Sequence, residues 1–207
     1  MRGSALSRLF SERPVTSTTQ RSLVLLLLAL LMAGTRADHF GPLPDASWAV
    51  FFVGGFLLST WTRWAFPLLM ALAVAVDYVV ITRSGASFWQ HYCVSPAYWC
   101  LIPAYFSMWA GGLWLRRRGV GVDARSLGLL AASMVASVVV CQLISQGSFY
   151  WISGVVADRS VAGWWDNYVT YLIPYMATTA KYVAVSAGLY VAAKLLARDT
   201  RGTVATR

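Results

Sequence analysis

Carboxylates are scarce in this chain, with 8 Asp and Glu scattered among 207 residues. There is no His-Glu-x-x-His pattern and no clustered set of carboxylates, which argues against a zinc or di-metal enzyme. Histidine is equally thin, represented by His39 and His91 alone. No Gly-x-x-x-x-Gly-Lys-[Ser/Thr] sequence occurs, so the chain has no loop to cradle and hydrolyse a nucleotide. Anything it moved against a gradient would take its energy from a partner or from trapping of the ligand inside the cell. The 3 cysteines make no disulfide framework. Cys93 and Cys100 are seven positions apart, about 10 Å of helical rise, too far for a bridge without distortion. Cys100 and Cys141 fall in apolar spans and read as packing residues. Neither an internal repeat nor an interior linker divides the chain.

Apolar residues are abundant instead. The composition is 58% hydrophobic and 12% charged, which places the chain in a membrane. Five runs are long enough to cross about 30 Å of hydrocarbon, roughly residues 46–62, 64–82, 97–115, 126–146 and 167–193. A shorter run, Leu23 to Thr35, precedes them. It reads as a retained first span, the alternative being the apolar part of a signal peptide with a poor cleavage site at Thr35-Arg36-Ala37. The expected fold is an all-α integral membrane protein, a bundle of six transmembrane helices. Residues 1–20 read as a polar, disordered cytoplasmic tail, 21–197 as the transmembrane domain and 198–207 as a second cytoplasmic tail.

Charge sets the expected orientation. Of the 17 basic residues, 13 precede the first span or follow the second, fourth and sixth. By the positive-inside rule both termini are cytoplasmic. Arg36, Arg83 and Arg159 fall on the other side, and Lys181 lies inside the sixth span. The net charge of +9 is therefore a topology signal with some attraction to anionic lipid. It is not a nucleic-acid footprint, because the basic residues flank spans and do not form one groove.

The outward segments, about 36–45, 83–96 and 147–166, hold both histidines, Cys93 and a crowd of aromatic residues. These aromatics are either an interfacial belt or the walls of an outward cavity. Cys93 sits in His91-Tyr92-Cys93-Val94-Ser95-Pro96, with Ser95 as an N-cap and Pro96 as the first helical residue. A helix N-terminus there would favour a thiolate, a nucleophile and soft metal ligand. The alternative is a small loop cysteine with no role. Asp77, about 7 Å below the outer end of its span, has the depth to line an outward cavity, or else makes a helix-to-helix hydrogen bond. Lys181 lies about 21 Å from that surface, so the two should not pair. Tyr168, Tyr171, Tyr175, Thr178 and Tyr182 form an aromatic stripe that serves packing or ligand contact. In the first span, Ala29-x-x-x-Ala33 lets another helix approach closely, inside the bundle or from a partner.

Cys93 followed by Pro96-Ala97-Tyr98, together with Phe51-Phe52-Val53-Gly54-Gly55 and Leu101-Ile102-Pro103-Ala104-Tyr105, resembles the BtuM family of bacterial cobalamin transporters. That family is related to the substrate-binding (S) components of energy-coupling factor transporters, and the resemblance covers most of residues 22–195. It implies uptake of cobalamin or related corrinoids across the bacterial inner membrane, with cobalamin as cargo. It implies that Cys93 ligates the corrin cobalt and displaces an upper cyanide. Tyr98 matches a ligand contact of the family. Asp77 and His39 match polar positions by order and approximate spacing, and Arg159 is carried over from the 147–166 loop. Ala29 and Ala33 match the pattern that docks a transmembrane coupling subunit in S components. The implied partners are the lipid bilayer, cobalamin and an optional coupling module with its ATPases.

Other functions are open on the sequence. An S component for another vitamin would not need Cys93 for binding. A membrane enzyme would use Cys93 and His91 as nucleophile and base, although no third group evidently orients the base. A purely structural membrane subunit would use its outer aromatics only as a belt.

Overall fold

A computed structural model of the chain describes residues 17–37, 43–121 and 123–204, with side chains described as far as residue 193. Among these residues it is all-helical, with six α-helices and no strand. They are α1 (Thr18–Ala37), α2 (Ser47–Leu57), α3 (Thr62–Arg83), α4 (Leu101–Arg117), α5 (Ala124–Ile152) and α6 (Val161–Val204). Short 3-10 turns at Ser59–Trp61, Phe88–Gln90 and Pro96–Cys100 connect them.

α2 is the centre. Every residue from Ser47 to Gly55 is buried, as expected of a helix that is apolar on all sides. It packs most extensively on α4, which in turn packs on α5. The α2–α4 crossing is so close that a Cβ on Gly55 would strike the Trp109 carbonyl, and one on Gly112 would strike the Phe52 carbonyl. Only glycine permits backbones to meet in this way. Trp109, fully buried beside them, donates its indole N–H to Thr62 Oγ1 at 3.1 Å and so ties α4 to the start of α3. On the other side Ser133 Oγ donates to the Gly111 carbonyl at 2.9 Å, joining α5 to α4. α1 lies against α2 and α3, placing Leu28 and Met32 in the core.

Three helices are long and apolar enough to cross a membrane: Thr18–Ala37, Ser59–Arg83 and Ala124–Ile152. The expected bounds change elsewhere. The run at 46–62 is one helix of 11 residues, about 16 Å of rise, followed by a 3-10 turn at Ser59–Trp61. Leu58 is followed by Ser59, Thr60, Thr62 and Arg63 with Trp61 alone apolar among them, so the apolar helix ends earlier than the expected run. The run at 97–115 begins as the 3-10 turn Pro96–Cys100 and becomes α-helical at Leu101. Pro103 supplies the reason: it has no N–H for the Trp99 carbonyl, and its ring would crowd that carbonyl in a continuous α-helix. The last helix runs well past the expected 167–193 at both ends, over 44 residues.

Candidate functional site

The last turn of α1 delivers Arg36 into the protein, where it is only 6% exposed. Its Nε and Nη2 each donate to the Asp77 carboxylate, at 2.7 Å to Oδ1 and 2.7 Å to Oδ2. This is the parallel two-bond fork that a planar guanidinium is suited to make. Nη1 donates to Asp45 Oδ2 at 3.1 Å, to Ser47 Oγ at 3.2 Å and to the Tyr105 hydroxyl at 3.0 Å. One cation thus holds α1, the α2 entry, α3 and α4 together. Asp45 closes the circuit, since its Oδ1 accepts from the Ser47 backbone N–H at 2.9 Å and from Ser47 Oγ–H at 2.6 Å. Thr35 adds a second tie across the same turn by accepting the Ala46 N–H at 3.1 Å.

Tyr98 extends this network toward the α3–α4 loop. Its hydroxyl donates to Asp77 Oδ2 at 2.7 Å. The loop itself leaves α3 through Gly85, whose φ of +83° few residues with a Cβ adopt. It then plugs Phe88 (5% exposed) against Tyr78 and Tyr98, with ring centroids 5.4 and 6.2 Å away. A turn follows in which the Val94 N–H bonds to the His91 carbonyl at 2.8 Å. Cys93 is in that turn, half-buried. Tyr92 is bonded to it, and Trp89 and Trp99 flank the turn in the chain; the three are exposed, 63%, 73% and 58% accessible.

The environment of Cys93 corrects one expectation. Its thiol is pushed up from the ordinary range, first by burial and also by the negative charge of Asp77, while a hydrogen bond with Tyr92 pulls it down. The Tyr92 phenol is raised in turn, mainly by that bond to Cys93. A free thiolate is therefore disfavoured. The helix expected beyond Ser95 is a five-residue 3-10 turn, and Ser95 makes no capping bond with its side chain. Burial and a nearby carboxylate outweigh whatever so short an element supplies.

Asp77, Tyr98 and Cys93 are thus brought together. Arg159 is not: it is exposed on the α5–α6 connection, with its Nε on the Val156 carbonyl at 3.1 Å. His39 lies outside the described residues. Ala29 packs against the core and Ala33 is half-buried beside it, while Leu23, Leu26, Leu27 and Leu30 form the exposed line of α1. His91 Nδ1 accepts the backbone N–H of Cys93 at 3.3 Å, so that nitrogen is directed to the backbone and not to the sulfur. The α6 stripe is used in packing: Tyr175 stacks on Trp48 at 4.6 Å, Tyr168 donates to the Val139 carbonyl and Tyr182 to the Pro44 carbonyl.

Arg36, Tyr105, Asp45 and Ser47 were not expected in this site. Arg36 reads in the sequence as one more flanking charge. The available signal was its place at the C-terminal end of α1, as Asp77 stands toward the C-terminal end of α3. Beneath Trp99 the network borders a cavity of about 110 Å³ lined by Arg36, Met70, Tyr98, Ile102 and Tyr105. A larger cavity, about 400 Å³, lies at the opposite end of the helices. Among the described residues no group of three or more His, Cys, Asp or Glu is placed to hold a metal ion. Neither a protein-family model nor a curated protein matches the chain.

Proposed function

We propose that this chain is a corrinoid uptake protein of the bacterial inner membrane, with a six-helix membrane domain in which α2 is too short to cross alone, both termini cytoplasmic and cobalamin as cargo. The observation that carries the reading is Cys93 itself, a free, half-buried thiol in the α3–α4 loop beside exposed aromatic residues, with no group of three or more His, Cys, Asp or Glu placed to hold a bare metal ion among the described residues. A bare metal ion needs three or four protein ligands. A corrin supplies four equatorial nitrogens itself and leaves an axial position that one sulfur fills. The protonated resting thiol suits this role, because coordination to a metal deprotonates a thiol outright. In cyanocobalamin the cobalt–sulfur bond would form as the cobalt–cyanide bond breaks. Cyanide leaves with the thiol proton as hydrogen cyanide, and the cobalt stays trivalent.

Size supports binding at the rim. The outer cavity is smaller than the roughly 300–1,000 Å³ of ordinary small-molecule sites. A corrin would rest above it, its faces against Trp89, Tyr92 and Trp99. Tyr98 lies beneath, half-buried and held by Asp77, with its hydroxyl oxygen left to accept from an amide of the fringe. A coupling module, if one docks, meets the exposed leucine line of α1, where a Cβ on Gly34 would touch nothing within 4 Å.

The test is the visible absorption spectrum of detergent-purified protein after incubation with cyanocobalamin, beside Cys93→Ser. A bound chromophore whose shifted spectrum needs Cys93 is expected. Chromophore bound equally, with identical spectra, would remove sulfur ligation and leave a vitamin-binding protein. No chromophore on either protein would discard the reading.

A further inference from the structure

The larger cavity is at the end of the helices away from Cys93, and nothing in the proposed uptake chemistry uses it. Its volume is about 400 Å³, and its walls include Phe52, Phe56, Leu115, Leu130, Val183 and Tyr190, from α2, α4, α5 and α6. Three of the polar side chains that reach it make local hydrogen bonds. Ser126 Oγ accepts the Gly121 N–H at 2.7 Å, Asp123 Oδ1 accepts the Ser126 N–H at 2.8 Å, and Ser186 Oγ donates to the Tyr182 carbonyl at 2.8 Å. The interior is therefore mainly apolar surface, with its serines and Asp123 engaged in bonds local to the chain.

The mouth is charged. The end of α4, the connection after it and the start of α5, which contribute Leu115, Val120 and Ala124 to the wall, also carry Arg116, Arg117, Arg118 and Arg125, against Asp123 alone. Arg117, Arg118 and Arg125 are exposed, and the Arg116 guanidinium lies 5.7 Å from the centre of the Phe56 ring in the wall. An apolar slot opening beside a cluster of cations is complementary to an amphiphile with an anionic head. We propose that this cavity holds an acyl chain of an anionic phospholipid from the surrounding leaflet, with the headgroup on the Arg116–Arg118 run. The site fills the gap between α6 and the α2–α4 core, where α6 makes few buried contacts of its own: Tyr168, Thr179 and Val183 are its buried residues among those whose side chains are described. The inference rests on the membrane-spanning helices and is independent of corrinoid binding.

Native mass spectrometry of the full chain in detergent, titrated with phosphatidylglycerol or phosphatidylcholine of identical acyl chains, tests the site. Wild type should retain one phosphatidylglycerol at a concentration where phosphatidylcholine is not retained. Filling the cavity from α6 by Ala187→Phe, or from α5 by Leu127→Trp, should lower retention roughly tenfold or more, since both residues line it. R117Q/R118Q should remove the preference between headgroups, a loss of roughly tenfold or more for two cations. Equal retention of the two lipids by wild type would overturn the inference. So would undiminished retention by a cavity-filled variant with wild-type helical circular dichroism. Using two fillings from different helices keeps the test decisive if one variant fails to fold.

Discussion

Arg36 and Asp77, 41 positions apart, meet through two parallel 2.7 Å hydrogen bonds in a site where each is less than a tenth exposed. A buried pair of this kind is a weak source of net stability, but removing one partner leaves a buried charge without compensation. Arg36→Met or Asp77→Leu alone should each cost about 3–5 kcal/mol. The double variant should cost clearly less than the sum, because neither charge of the fork is left facing an apolar side chain, while the loss of the Arg36 bond to Asp45 is common to the single Arg36 variant and the double. Thermal unfolding midpoints in detergent measure all three. Strict additivity would show that the pair is not coupled.

Tyr98 gives a smaller and separable effect. Tyr98→Phe removes a hydroxyl that donates to Asp77 Oδ2 but leaves the guanidinium fork intact. A hydrogen bond to a charged group contributes about 1.5–3 kcal/mol, so the loss should be no more than that. If Tyr98→Phe unfolded the protein as severely as Asp77→Leu, the carboxylate would depend on Tyr98 more than on Arg36.

Much of this fold could be read from the residues, and the exceptions have physical causes. The helices of α1, α3 and α5 stand out because long apolar runs are bounded by charge or turn residues. Asp77 stands out as an ionisable group within a span, open on the sequence to either a cavity or a helix-to-helix bond, whereas Tyr98 enters only through the family resemblance. Arg36 was hidden, since a basic residue at a helix end has the same local signature whether it faces solvent or turns inward. Only the pairing of α1 with α3 distinguishes the two, and that is a tertiary fact. The shortness of α2 was hidden for a related reason. Apolar content reports burial, and a central helix of 11 residues is as apolar as a spanning one. At Cys93 the reading of local polarity failed, because burial and the charge of Asp77, which is distant in sequence, outweigh the neighbouring helical turn.

Cys93 should show that balance in its reactivity toward pH. Only the thiolate is alkylated, and a free cysteine titrates near about 8.5. With Cys100 and Cys141 replaced by alanine, half-maximal iodoacetamide reactivity of Cys93 should fall above that value. Asp77→Asn should move it down by removing a negative charge, and Tyr92→Phe should move it up by removing the bond that favours the thiolate. The linkage has the corresponding sign: a thiol raised on folding contributes stability below its unfolded value and loses it as pH rises through the folded one. Stability should therefore decline on the alkaline side, less steeply in Cys93→Ser. A half-maximal pH below that of a free cysteine would restore the activated thiolate.

The glycines at the α2–α4 crossing and the one on the outer face of α1 should respond oppositely to the same change. A methyl group at Gly55 or Gly112 has backbone as its nearest neighbour, from Trp109 in one case and Phe52 in the other. Backbone cannot swing aside as a side-chain end can, so the helices must separate along a contact that also buries Phe51, Phe52 and Met108. Gly55→Ala and Gly112→Ala should each cost about 1–3 kcal/mol or more, as overpacked cores do. At Gly34 a Cβ meets nothing within 4 Å, and alanine is the better helix former by about 1 kcal/mol. Gly34→Ala should leave the unfolding midpoint unchanged or slightly higher. Loss of stability at Gly34 equal to that at Gly55 would mean that another surface, such as a coupling subunit or a second copy, already lies against α1.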